Sequence, residues 1–341
     1  MAGKWKGVLR VAGLLVVLLV AWITLRDDLP DAAETWQILT SAHPWWLVLA
    51  AVAELTSLRH FALQQRRLLA GLGVPMSVPR AVAVTFTRSA ISFSLPAGSA
   101  VSAGYAFRQF RTVGASRRAA GAVAVVSSVL SGVALVLTYS AVILVPVLLG
   151  GAGAGGRTDT LVLVLSLLVV ATLVFGLDYW LSRGRRPAAA PHAEEEGGHD
   201  KRVWTVIRRT AADLRRMPRT AGVLSLIHAT VNWSLDFACL AATATAFNID
   251  VSLVRLATVY FTVQLVRQIP ISPGGMGVVE VALLAGLVSA GAAQGPAAAA
   301  MLVYRLLSCW IIIPIGLLTY AVLRSTRPVE SAETPTTAGR T

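Results

Sequence analysis

Long apolar runs alternate with short, charge-rich connections along this chain. The runs fall at 8–25, 44–63, 81–96, 99–107, 119–149, 160–181, 220–247, 251–269, 276–291 and 297–323. Several reach the ~18–20 residues that a helix needs to cross the hydrocarbon core, so the pattern predicts an all-α polytopic membrane protein. The first run, after Lys4, Lys6 and Arg10, has the look of a signal peptide. It is long, "RDDLPDAAET" after it offers no small-x-small cleavage site, and more spans follow, so it reads as an uncleaved first helix.

Basic residues between the runs set the sidedness. The N-terminus goes inside, and the 26–43 connection, with Asp27, Asp28, Asp31 and Glu34 against one Arg, goes outside. Arg66, Arg67 and Arg80 return the chain to the inside. Arg108, Arg111, Arg117 and Arg118 also belong inside, and a single span over 81–96 would strand them on the wrong face. The conflict disappears if 81–107 is a hairpin that turns at "LPAGS", residues 95–99. The 182–219 connection, with ten Lys or Arg, is cytoplasmic, and so is the end of the last run, before Arg324 and Arg327. That count closes only if 251–291 crosses an even number of times, as a second hairpin broken at 270–275 and entering from the opposite face.

The reading is therefore about six full transmembrane helices plus two oppositely oriented broken or re-entrant hairpins, an eight-helix bundle. Two complete crossings per hairpin would give the same sidedness. The breaks "TRSAISFSLPAGS" (87–99) and "VRQIPISPGGMG" (266–277) resemble each other, each in its own half of the chain. Paired Gly/Pro-interrupted segments are the sequence pointer to an inverted-repeat transporter with a midplane site. The membrane domain is expected over 1–324: a first half 1–181 with its break at 95–99, a basic loop 182–219, and a second half 220–324 with its break at 270–277. Within the loop, 201–217 places Val203, Ile207, Leu214 and Met217 on one helical face and Arg202, Arg209 and Arg216 on another. That is the pattern of an in-plane helix on an anionic leaflet, or of a solvated connector. The tail 325–341 is polar and expected to be disordered.

Composition agrees with a membrane chain: 55% of the 341 residues are apolar and 14% charged. The mean hydropathy is +0.68. The net charge of +13 sits in connections rather than on one face, which argues against nucleic-acid binding. Cys239 and Cys309 lie in apolar runs and read as packing residues. No Walker loop, nucleophile–base pair or zinc signature stands out; no metal or other cofactor is expected, and the chain reads as a non-enzyme.

Ionisable groups within the spans each need a reason, because one at mid-depth costs at least ~2.5–3.5 kcal/mol. Glu54 is mid-span and stacks with Ser57 and Phe61. His228, Asn232 and Asp236 repeat at four, with Cys239 and Thr243 continuing the stripe on one helix face. These four ionisable or amide groups, Glu54, His228, Asn232 and Asp236, are either cavity-lining and proton-coupling positions or interhelical hydrogen-bonding pairs. Arg88 shares a face with Thr85, Ser89 and Ser92, and Arg267 with Gln264 and Gln268. Glu280 falls in the first turn of the helix after Pro273, with Arg267 or Arg305 available to pair with it. Alternatively, free backbone N–H groups at Pro273–Gly277 form an anion nest, with Arg267 and Arg305 completing a pocket for an anionic headgroup.

"IPISPGGMGVVEVALLAGLVSAG" and "AAAAMLVYRLLSCWIIIPIGLL" resemble the C-terminal signature of the flippase-like membrane family that contains the transmembrane region of lysylphosphatidylglycerol synthases. "SLPAGSAVSAGYAFRQFRTVGAS" is similar to the family's first-half break, although it lacks the Asp that many members carry there, which leaves the substrate open. The resemblance implies lipid binding and translocation, carried by Pro273, Gly274, Gly275, Gly277, Glu280, Tyr304 and Arg305. It implies no aminoacyl transfer, because the chain ends seventeen residues after Arg324, short of the synthases' soluble domain. The expected protein is an integral lipid translocase of a bacterial-type cytoplasmic membrane, both termini cytoplasmic, its partners being membrane lipids with anionic headgroups. The alternative is a non-transporting subunit that presents a lipid to a separate synthase or glycosyltransferase.

Overall fold

The computed structural model describes residues 37–95, 97–148, 218–267 and 275–325. The runs at 8–25 and 160–181, the 201–217 segment, Pro273, Gly274 and the tail beyond Ser325 lie outside the described residues. Every regular element among the described residues is helical: α1 (Pro44–Gly71), α2 (Val78–Ser94), α3 (Gly98–Thr112), α4 (Arg117–Leu148), α5 (Arg219–Ala246), α6 (Leu253–Arg267), α7 (Val278–Ser289), α8 (Gln294–Arg305) and α9 (Ile312–Ser325). A π-helical turn at Leu306–Trp310 joins α8 to α9.

Among the described residues, four helical stretches are long and apolar enough to cross a membrane: 44–71, 117–142, 219–246 and the α8–α9 unit, 294–325. They match four of the six expected full spans; the other two are the undescribed runs. In α1 the helix outlasts its apolar run by eight residues, 64–71. Gln64 and Gln65 in that extension are buried, and the Gln64 Nε2 donates to the Ser127 carbonyl at 3.1 Å.

Between the long helices lie two pairs of short ones. α2 has 17 residues and α3 has 15, while α6 has 15 and α7 has 12. At ~1.5 Å per residue each falls short of the ~30 Å hydrocarbon core. α2 packs on α3, and α6 on α7. Helix order and length repeat: 28, 17, 15 and 32 residues in α1 to α4, then 28, 15, 12 and 32 in α5, α6, α7 and the α8–α9 unit.

Helix ends repeat as well. α1, α3, α5 and α7 each stop at a residue of positive φ, namely Gly73 (78°), Gly114 (93°), Asn248 (54°) and Gly291 (111°). In each case the next N–H reaches back five residues: Val74 to Leu69, Ala115 to Phe110, Ile249 to Ala244 and Ala292 to Leu287. Those bonds satisfy carbonyls that a helix end leaves orphaned, and glycine or asparagine supplies the left-handed backbone.

α1 and α5 form the most extensive pairing in the bundle. One core cluster joins the α1 N-terminal half to α5, α6, α7 and α8. A second joins the α1 C-terminal half to α2, α3 and α4. A third, around Leu58, Phe86, Phe93, Cys309 and Ile312, ties α9 and the π turn to the first half. The α1–α5 pair therefore sits between the two helical hairpins.

Candidate functional site

A polar cavity of about 280 Å³ opens at this centre. In α1, Glu54, Ser57 and Phe61 reach it because spacings of three and four place them on one face. α2 contributes Arg88, Ser89, Ser92 and Phe93, and α3 adds Ser99 and Ser102. From the other half come Asn232, Trp233 and Asp236 of α5, Gln264 and Arg267 of α6, and Ser308 of the π turn. The first short-helix pair and α6 of the second thus meet at one cavity, which α1 and α5 also line.

The cations are held by aromatic rings. The Arg88 guanidinium lies 5.2 Å from the centre of the Phe61 ring, with its Nε donating to Ser102 Oγ at 3.4 Å. The Arg267 guanidinium lies 5.0 Å from the centre of the Phe93 ring. A ring face stabilises a guanidinium while leaving its N–H groups free to turn toward an anion.

The carboxylates differ from each other. Asp236 accepts from Tyr260 Oη at 2.8 Å, Tyr304 Oη at 2.9 Å and Gln264 Nε2 at 3.4 Å. Three donors from α6 and α8 thus fix it in place. Glu54 is buried, near enough to Asp236 to interact with it electrostatically. Among the described residues, its Oε2 has no hydrogen-bond partner, and neither does Gln264 Oε1. Buried polar atoms are almost always satisfied, so these two mark where a ligand donor or water would bond. Ser57 instead bridges helices, donating to the Asn232 carbonyl at 2.9 Å and to its Oδ1 at 3.1 Å.

Glu280 and Arg305 stand apart. Arg305 Nε donates to Glu280 Oε1 at 2.6 Å, and Arg305 is only 1% exposed. Glu280 Oε2 accepts from the Gly277 N–H at 2.7 Å, closing the first turn of α7. The described lining of the polar cavity contains neither residue. Of the two arginines the sequence offered to Glu280, Arg305 is the partner. Gly275 (φ 72°) and Gly277 (φ 83°) hold the left-handed backbone of the break, where a side chain on Gly275 would collide with Val279.

The structure therefore brings Arg88, Arg267, Glu54, Asn232 and Asp236 to one cavity, with Tyr304 behind Asp236. It sets Glu280, Arg305 and the two glycines at the α7 start, and puts His228 against His60, Nδ1 to Nδ1 at 3.1 Å. Tyr260 and Ser131 escaped sequence reading. Tyr260 is legible in retrospect, because it stands four before Gln264 and seven before Arg267 on one face of α6. Ser131, which accepts from Trp233 Nε1 through its carbonyl at 2.9 Å, carries no such signal.

A family model described as the lysylphosphatidylglycerol synthase TM region matches residues 10–316. The chain is also similar to a "UPF0104 membrane protein" of Methanothermobacter thermautotrophicus, 30% identical over 119 residues. That match spans about a third of each protein, 34% of this chain and 35% of the relative.

Proposed function

The chain belongs to the lysylphosphatidylglycerol synthase transmembrane-region family, and from that premise we propose that it is a lipid translocase. The headgroup enters the polar cavity while the acyl chains stay in the bilayer. One observation carries this reading: two guanidiniums and two carboxylic side chains line a single cavity between membrane-length helices. Ionisable residues at such depth mark substrate pathways. Arg88 and Arg267 suit a phosphate, and Glu54 with its unpaired Oε2 suits a headgroup amine or hydroxyl. The ligand class is thus a phospholipid or lipid-linked headgroup that carries an anion and a hydrogen-bond donor. The reading assigns no catalytic group. It places the protein in a bacterial-type cytoplasmic membrane with both termini inside, following the positive-inside bias.

The test is lipid exchange between leaflets in proteoliposomes, using fluorescent phosphatidylglycerol, its aminoacylated form and phosphatidylcholine. Wild-type protein accelerates movement of the first two, and folded Arg88→Ala and Arg267→Ala variants lose that movement. Phosphatidylglycerol that co-purifies with the protein yet never changes leaflet defeats the translocase reading in favour of a lipid-presenting subunit.

A further inference from the structure

The α2–α3 hairpin has two unlike faces. One, with Arg88, Ser92 and Ser102, lines the polar cavity. The other, with Ile91, Leu95 and Val101, joins Leu317 of α9 to wall an apolar groove of about 530 Å³. The two spaces share no lining residue. The groove falls within the ~300–1,000 Å³ typical of small-molecule sites.

Gly104 keeps it open. This glycine lies mid-helix in α3 and lines the groove, where a Cβ would meet nothing within 4 Å. The groove is therefore open beside this position, with room that a bulky side chain would fill. From the hairpin tip, where Leu95 lines the groove, α3 runs ten residues from Gly98 to Arg108. At ~1.5 Å per residue that is ~15 Å, about one hydrocarbon leaflet.

The far end is cationic. Arg108 lines the groove there, and Tyr105 and Tyr320 are shared with an adjoining recess of about 290 Å³ that Gln109 and Arg324 also line. Both arginines are exposed. An apolar trough one leaflet deep that ends in two guanidiniums is complementary to an acyl chain joined to a phosphate.

We propose that this groove binds one anionic phospholipid from the leaflet at the C-terminal ends of α3 and α9. One acyl chain lies along the hairpin, and the phosphate sits at Arg108 and Arg324. The site is separate from the polar cavity and does not depend on transport through it.

The experiment uses the full chain in phosphatidylcholine nanodiscs. A trace of phosphatidylglycerol or phosphatidylcholine is added, each with the same diazirine-bearing acyl chain. Photolabelled positions are then mapped by peptide mass spectrometry. The phosphatidylglycerol probe labels Val101–Tyr105 and Leu317–Tyr320 at least about five-fold more than the phosphatidylcholine probe. Arg108→Ala and Arg324→Ala each bring its labelling down toward the phosphatidylcholine level. Gly104→Phe abolishes labelling by both probes, and Arg88→Ala, in the other cavity, leaves labelling unchanged. Equal labelling by the two probes, unmoved by either arginine variant, overturns the proposal and makes the groove an ordinary bilayer contact. Because both arginines are exposed, size-exclusion elution at the wild-type volume is expected for their variants and confirms folding. Should Gly104→Phe fail to fold, the arginine pair still decides.

Discussion

Arginine serves unlike ends in this molecule, and its surroundings tell them apart. Arg305 is enclosed, and one of its nitrogens finds Glu280 while Nη2 has no partner. Glu280 in turn ties down the start of α7. Glu280 is 16% exposed, so removing it strands the buried Arg305 at up to about 3–5 kcal/mol, and removing Arg305 costs less. Glu280→Gln is therefore expected to lower the melting temperature sharply in detergent, and Arg305→Met to lower it less. The combined Glu280→Leu/Arg305→Met variant should recover much of that loss. Among the described residues, Arg88 and Arg267 rest on rings and a long serine contact, with no ion pair at bonding distance. Their alanine variants should melt near the wild type while losing lipid transport. Equal destabilisation across all four single variants would contradict this division. The sequence singled out all of these residues and offered Glu280 either Arg267 or Arg305 as its partner, because helical spacing gives the face of a residue and not which neighbour that face meets. The Glu280–Arg305 partnership spans 25 positions of sequence.

At the scale of elements, the short helices depend on close backbone approach. A side chain on Gly98 would strike the backbone carbonyls of Ile91 and Ser92, and one on Gly316 would strike Ala90 and the Phe86 carbonyl. Gly98 thus closes the α2–α3 turn, and Gly316 seats α9 on α2. The neighbour at both sites is backbone, which cannot rotate away. Gly316→Leu is expected to cost about 1–3 kcal/mol or more by overpacking, read as a lower melting temperature. An unchanged value would mean that α9 does not sit this close to α2. Helix existence was legible from apolar runs, and the α2–α3 turn from "LPAGS". The length of α1 was not, because Gln64 and Gln65 read as the end of a span when they are in fact buried within the bundle. The π turn at 306–310 was also hidden: it is a local register change inside a continuous apolar run.

Across the described residues, the order of long, short, short and long helices occurs twice, and the α1–α5 pair joins the two sets. The positive-inside bias proposes that the halves are inverted, with each hairpin returning to the face it left. Membrane-impermeant maleimide labelling of single introduced cysteines tests that arrangement. Ser77→Cys and Ser116→Cys, flanking α2–α3, are expected to label from the cytoplasmic side. Asp250→Cys and Ala293→Cys, flanking α6–α7, should label from the opposite side. Labelling of Asp250→Cys and Ala293→Cys from different faces would refute the second hairpin. The native Cys239 and Cys309 are both 0% exposed, so background should be low without removing them.

The mixed lining of the polar cavity also governs how such a translocase responds to voltage. Arg88, Arg267, Glu54 and Asp236 are anchored to helices, so only the charge on the lipid itself crosses the membrane field. A headgroup whose amine balances its phosphate moves no net charge, and its passage draws no current. A singly anionic lipid carries one elementary charge, worth about 2.3 kcal/mol for every 100 mV. A negative interior would then favour its outward movement with no other energy source.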